Sequence, residues 1–215
     1  KSPFIMSPSL TILCALQKPL VYYKSMIFLR THEADPDEVY RFLTRLVVPR
    51  PIAWISTVSP EGIKNLAPFS FFNAVCDEPP IVIVSISKRD DGRRKDTADN
   101  ILKTGEFVIN LVSEELIDKV ELTSEEFPPH IDEFMVAGLT PTESFCVKAP
   151  SVKEAKAWLE CKLFRHEELF SYDLIFGLVL CLRAQSLDYE NLKPVGRLSG
   201  RYCRLSEINP RAYSG

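Results

Sequence analysis

Residues 51–112 break into short β-forming runs separated by tight turn signals, and this punctuation limits the fold more than any other feature of the chain. Residues 51–58 read Pro-Ile-Ala-Trp-Ile-Ser-Thr-Val and lead straight into the turn Ser59-Pro60-Glu61-Gly62. A second extended stretch covers residues 63–73, with phenylalanines at 69, 71 and 72. Pro79-Pro80 opens the β-branched run Ile81-Val82-Ile83-Val84-Ser85-Ile86, which predicts a buried central strand. Residues 107–112, 157–164 and 174–182 add three more strands, with Gly177 marking a bulge or a close approach. Helices are inserted among the strands and do not alternate with them. Asp35 caps the first, in which Val39, Phe42, Leu43 and Leu46 form one apolar face that ends before Pro49 and Pro51. Asp96-Thr97 predicts the cap of a short helix ending at Thr104-Gly105, and Ser113-Glu114-Glu115 starts a third. About six strands joined mostly by short turns predict a mainly β fold, an antiparallel barrel with inserted helices.

The remaining segments and the composition bound the function. Residues 123–155 are rich in Pro, Ser, Thr and Glu and predict a long excursion of the kind that covers something. The segment 193–205 is basic and mixed. The chain has 215 residues, 46% hydrophobic and 26% charged, enough for one domain with a normal core. A net charge of −3 supplies no general basic field, which excludes broad nucleic-acid binding. The apolar run at residues 10–16 is too short for a membrane span of about 20 residues. We expect residues 1–26 to be an extension outside the fold, with Met26 a candidate natural start, and residues 27–215 to form a single domain. Six cysteines show neither C-x-x-C nor zinc-ligand spacing and read as free thiols in a reducing cytoplasm.

Two segments carry candidate chemistry. Residues 65–80 mix Phe69, Phe71 and Phe72 with Ser70 and Asn73. Strand alternation puts Phe69, Phe71 and Asn73 on one side and Ser70, Phe72 and Ala74 on the other. Core phenylalanines beside polar turn residues account for this pattern, and so does a flat aromatic ligand held by Ser and Asn. The second segment, residues 88–97, holds five basic residues in its first eight and runs into a helix start. That arrangement suits either an anion site or a solvated loop. His130 lies inside the long excursion, and Trp54 opens a strand where it can wall a pocket or pack a core. His166-Glu167-Glu168 lacks the second histidine of a zinc motif. With eight glycines the chain contains no G-x-G-x-x-G, no P-loop and no G-x-S-x-G, so a bound cofactor is the expected source of any reactivity.

In order along the chain stand Val48-Pro49-Arg50-Pro51-Ile52-Ala53-Trp54-Ile55-Ser56-Thr57, then Asn65-Leu66-Ala67-Pro68-Phe69-Ser70-Phe71-Phe72-Asn73 with Pro79-Pro80. Arg94-Lys95-Asp96-Thr97, the run from Glu106 to Glu115, and Lys193-Pro194-Val195-Gly196-Arg197-Leu198-Ser199-Gly200 follow. This set, over residues 35–206, resembles the flavin reductase-like, FMN-binding split-barrel family. Its branch is similar to the reductase component of nitrilotriacetate-type monooxygenases and to flavoredoxin-like proteins. The resemblance implies a Greek-key split barrel that works as a homodimer with one FMN at each interface. It implies that Ser70, Phe71, Phe72 and Asn73 hold the ribityl chain and the ring's polar edge, with Ser85 and Ser87 on the same side. Arg94, Lys95 and Thr97 would meet the phosphate, Trp54, Ser56 and Thr57 would lie nearby, and His130 would come from the covering segment. NADH or NADPH is the implied hydride donor, and a monooxygenase or redox protein the implied acceptor. A non-enzymatic FMN electron carrier is the alternative. The chain departs from the family pattern at Ser199-Gly200, in the apolar run after Gly177 and in a short connection over residues 167–173.

Overall fold

The structure is a computed structural model and describes residues 20–23 and 26–206. The chain divides into two compact units between Leu46 and Val47. In the first unit, β1 (Leu20–Tyr23) pairs antiparallel with β2 (Met26–Leu29), and α1 (Pro36–Leu46) follows. Asp35 caps α1 as expected, its Oδ1 accepting from the Asp37 N–H at 2.8 Å. The expected apolar face of α1 is only half-covered, because Leu43 and Leu46 are exposed. The rest of the expected extension, residues 1–19 and 24–25, lies outside the described residues.

The second unit contains β3 (Ala53–Val58), β4 (Lys64–Phe69), β5 (Phe72–Asp77), β6 (Pro80–Ser87), α2 (Asp96–Thr104) and β7 (Glu106–Asn110). Then come α3 (Ile117–Leu122), α4 (Glu133–Ala137), β8 (Pro141–Thr142) and β9 (Ser151–Val152). Next are β10 (Ala157–Leu169), β11 (Tyr172–Ala184), α5 (Tyr189–Leu192), β12 (Val195–Leu198) and β13 (Arg201–Arg204). Seven strands form one sheet in the order β4-β3-β7-β10-β11-β6-β5, and every neighbouring pair is antiparallel. The turn at residues 59–62 forms as read, with Gly62 at φ 89° donating to the Ser59 carbonyl.

The stretch read as one strand over residues 63–73 is two. β4 and β5 stand at opposite edges of the sheet, yet only Ser70 and Phe71 lie between them. Laid flat, seven strands would hold their edges about 29 Å apart at ~4.8 Å per strand. The three Cα–Cα steps from Phe69 to Phe72 span at most about 11 Å. The sheet therefore has to curl until its edges meet, which makes it a barrel. The Ser85 N–H donates to the Phe71 carbonyl at 2.8 Å beside the link.

Alternation along β3 separates two cores. Ala53 and Ile55 point into the barrel, where they pack with Val84, Ile86, Phe107, Ile109 and Ile175. Trp54 points the other way, into a layer with Leu66, Val112, Val120, Phe134 and Val152. The excursion over residues 123–155 is thus an outer layer built from α4, β8 and β9 against the barrel wall. Asp132 caps α4, accepting from the Phe134 and Met135 N–H groups.

Two further local expectations are corrected. Strands read over residues 157–164 and 174–182 extend into a hairpin of two 13-residue strands paired as far as Leu169↔Tyr172. The connection expected at 167–173 shrinks to Phe170-Ser171. Charged residues at 165–168 hide strand character because the ladder, not side-chain burial, carries that end. Asp96-Thr97 does not cap α2. Lys95 is the N-cap residue and makes no side-chain cap. Among the described residues no helix is long and apolar enough to cross a membrane.

Gly177 is the close approach its sequence position announced. A Cβ there would lie 2.4 Å from Phe107 Cζ and 3.3 Å from Val82 Cγ2, inside the barrel core. Gly177→Val is expected to destabilise the fold by about 1–3 kcal/mol or more through overpacking. Urea unfolding measures it, and a midpoint equal to that of the parent would contradict the packing described.

Candidate functional site

Three adjoining hollows run from β4 past the start of α2. The innermost, ≈ 50 Å³, is bordered by Asn65, Ala67, Lys95, Thr97, Ser124 and Glu126. A second of ≈ 140 Å³ shares Pro68, Phe69 and Ser124 with it and adds Ser70, Arg197 and Tyr202. The third, ≈ 680 Å³, shares Arg89, Asp96 and Phe127 and opens between residues 88–94 and Phe127-Pro128-Pro129. A larger hollow of ≈ 840 Å³ beside α5 holds none of the residues expected to meet a ligand.

The α2 end of this groove is built for an anion. Lacking a side-chain cap, α2 leaves its first-turn N–H groups open to an external acceptor. Lys95 stands at the N-cap, one-third exposed. Arg89 is held by Asp96 at 3.1 Å and by Glu126 at 3.0 Å, and Lys95 lies 4.0 Å from the same Glu126. An exposed carboxylate therefore already sits against the two cations. Burial is the main cause that raises the Asp96 pKa, with Arg89 opposing it.

A polar network beneath ties α2 to β3, β4 and α4. The Thr97 hydroxyl donates to Asn65 Oδ1 at 2.7 Å, and the Thr57 hydroxyl lies 3.2 Å from the same oxygen. Asn100 Nδ2 donates to Thr57 Oγ1 at 3.0 Å. Asn65 Nδ2 and the Leu66 N–H donate to the two oxygens of Glu133, at 2.8 and 3.2 Å. Glu133 is 6% exposed. Burial raises its pKa to about 7, against the pull of those donors and with help from the charge of Asp96.

The residues expected to meet a ligand divide three ways. Lys95 and Ser70 line the groove, and Thr97 offers it only a backbone N–H, since its side chain is buried in the network. Phe71, Ser85 and Ser87 gather on the other side of the link, where the Phe71 ring stacks on Tyr172 at 6.3 Å. Asn73 is exposed on the edge strand β5, its Oδ1 accepting from the Ala74 N–H. The remaining residues are held by other contacts. Trp54 is fully buried and donates to Thr123 Oγ1, Ser56 is bound to Pro150 O and Asn110, and Thr57 belongs to the network. Phe72 packs against the barrel core. Arg94 lines the ≈ 680 Å³ hollow and is ion-paired with Asp173 at 3.0 Å and Glu168 at 2.9 Å. His130 is exposed in a further hollow that shares Asn65, Asp96 and Glu133 with the innermost one.

Four groove residues escaped the sequence reading. Arg89 lay within the basic run, which signalled it, but Glu126 carried no signal. Arg197 and Tyr202 come from the β12–β13 hairpin, with the guanidinium 4.5 Å from the ring centroid. The near-buried Arg50 organises that end of the groove. It donates to the Val47 and Ser199 carbonyls at 3.1 Å and reaches Ser70 Oγ at 3.4 Å, and its backbone pairs with Arg197.

Glu133 gives the site a pH dependence with a defined sign. Its folded pKa of about 7 lies above the ordinary value of 4.5, so the folded state holds the proton more tightly. The resulting stability is complete below about pH 4.5 and is lost as pH rises towards 7. Glu133→Gln is expected to flatten that fall, by up to about 3 kcal/mol. Denaturant unfolding at pH 5 and pH 7.5 reads the difference. Parallel pH profiles for parent and variant would contradict it.

Comparison with known proteins agrees with this architecture. Residues 44–206 match the model of the flavin reductase like domain. An uncharacterised protein of Aquifex aeolicus is 49% identical over 178 residues, covering 79% of this chain and 91% of that protein. Nitrilotriacetate monooxygenase component B from Bacillus cereus superposes with a TM-score of 0.81 at 34% identity, over 87% of this chain and 99% of its own. Flavoredoxin of Desulfovibrio vulgaris shares the fold, with a TM-score of 0.68 at 23% identity over 79% and 93% of the two chains. A seven-stranded antiparallel barrel, a groove along β4 and a match across most of the chain lead to one assignment: this protein belongs to the flavin reductase-like domain family.

Proposed function

We propose that the protein is a cytoplasmic NAD(P)H:flavin oxidoreductase that holds FMN in the groove along β4. The uncapped start of α2, flanked by Lys95 and Arg89 at one end of that groove, is the observation that carries this reading. The donor set fits a phosphate monoester, which asks for backbone N–H groups and cations in close array. The ≈ 680 Å³ mouth brings the groove into the range of cofactor sites, about 300–1,000 Å³. Similarity to the Bacillus cereus component supports a flavin reductase serving a monooxygenase or another redox partner. The five free cysteines among the described residues support a reducing compartment.

FMN, when bound, supplies a ring that accepts hydride from NADH or NADPH. The chain's contribution is binding and orientation. Lys95 and the first turn of α2 fix the phosphate end. Ala67, Pro68 and Phe69 border the groove, and Ser70 and Ser124 offer hydroxyls along it. Glu126 has to leave Lys95 and Arg89 for the phosphate to enter, and its exposed position permits that.

We also propose a homodimer through the outward face of β11. Leu174, Phe176 and Leu178 alternate there with inward Ile175, Gly177 and Val179. Phe176→Arg is expected to halve the mass seen by light scattering, and an unchanged mass would move the interface elsewhere.

Anaerobic mixing of protein, FMN and NADH or NADPH tests the activity. Bleaching of the flavin band within catalytic turnover is expected. Lys95→Ala is expected to weaken FMN binding by about 10- to 100-fold, the loss of one charge-assisted contact. Flavin that binds but is not reduced by either nucleotide would favour an electron carrier. Protein that takes up no FMN would end the proposal.

A further inference from the structure

A second feature lies outside the groove, where the loop between β8 and β9 folds onto β10 and β11. Glu160 on β10 is fully buried. Its carboxylate accepts from the Phe145 N–H at 3.0 Å and the Cys146 N–H at 2.5 Å, which pins the loop backbone. Arg183 on β11 stands 2.8 Å from the same carboxylate and is clasped between the rings of Phe145, at 4.6 Å, and Trp158, at 4.8 Å. Its Nη2 also donates to Ser151 Oγ. Cys181 is the register partner of Glu160 across the β10–β11 ladder. These anchors set exposed Cys146 beside half-buried Cys181, with the two sulfurs and a Glu160 oxygen within 4.8 Å of one another. The other described cysteines are placed differently. Cys76 and Cys203 donate to the Pro79 and Gly196 carbonyls, and Cys161 is fully buried.

We propose that Cys146 and Cys181 form a reversible, oxidisable thiol pair whose disulfide clamps the β8–β9 loop to β11. The Glu160 carboxylate is already taken up by two N–H groups and Arg183, so it serves as the anchor of the pair and not as a third metal ligand. Rotation about the side-chain bonds of exposed Cys146 has to bring the sulfurs to a bonding distance of about 2.05 Å. With a hydroperoxide as oxidant, the Cys146 thiolate attacks the peroxide and becomes a sulfenic acid while the peroxide is reduced to an alcohol or water. The Cys181 thiol then displaces the sulfenic oxygen, the S–S bond forms and water leaves. The pair loses two electrons and two protons, and a dithiol returns them. Burial raises the Cys181 pKa, which suits it to the resolving role and leaves first attack to the exposed partner. A cross-link formed only under oxidative challenge is the use that cytosolic disulfides have.

The full-length protein, reduced and desalted, is treated with one equivalent of hydrogen peroxide or with diamide, then digested without reduction. We expect two of the six thiols to disappear, a peptide pair joined through Cys146 and Cys181, and a higher unfolding temperature, all reversed by dithiothreitol. Cys146→Ser and Cys181→Ser should each abolish the cross-link and leave FMN uptake unchanged. Should Cys181→Ser fail to fold, Cys146→Ser at the exposed position decides alone. Links through Cys76 or Cys203, a Cys146 sulfinate beside a free Cys181, or unchanged thiol counts would overturn the proposal. So would a stoichiometric zinc ion held by these two thiols in the protein as purified.

Discussion

The two-residue link between β4 and β5 is the constraint on which the structure depends. Ser70 and Phe71 must carry the chain from one edge of a seven-stranded sheet to the other, which forces closure. Closure creates an inside for Ala53, Ile55, Phe107 and Ile175 and leaves Trp54 facing outwards. That outward face needs its own cover, and α3, α4 and β9 provide it. The barrel and its outer layer thus follow from one topological fact, with hydrophobic burial on both faces of β3 supplying the free energy.

The same seam organises the groove. Ser70 ends the strand that borders the groove, and Arg50 reaches it while pairing with the β12–β13 hairpin that closes the far end. At the near end, the network of Thr97, Asn65 and Glu133 fixes the start of α2 against β4. Buried polar groups of this kind stabilise only when every partner is present, so they hold α2 in one orientation rather than merely near the barrel. An anion site made of backbone N–H groups needs that rigidity, since its donors cannot turn towards the ligand.

Much of this was legible in the sequence because the signals are local. The turn at residues 59–62, the run over residues 81–86 and the end of α2 at Gly105 each announce themselves within a few residues. Lys95 was legible for the same reason, standing where a basic run meets a helix start. The break at Ser70-Phe71 was not, since a lone serine is a weak turn signal and the flanking phenylalanines continue a strand pattern. Alternation could not say which face of β3 was the barrel interior, and both faces are buried, so the sequence pattern alone does not place Trp54, Ser56 and Thr57, which the resemblance puts near the ligand. Arg94 shows a limit of charge patterning. Asp173 and Glu168, far along the chain, pair with it at the groove's mouth, while its neighbour Lys95 stands at the start of α2. Arg197 and Tyr202 arrive from more remote sequence still, and only the fold brings them to Ser70.

The most direct test of this account is a crystal structure of the protein with FMN. The phosphate should lie against Lys95 and the first-turn N–H groups of α2, with Glu126 displaced and the ring along Ala67, Pro68 and Phe69. FMN bound with its phosphate elsewhere, and Glu126 still seated on Arg89, would contradict it.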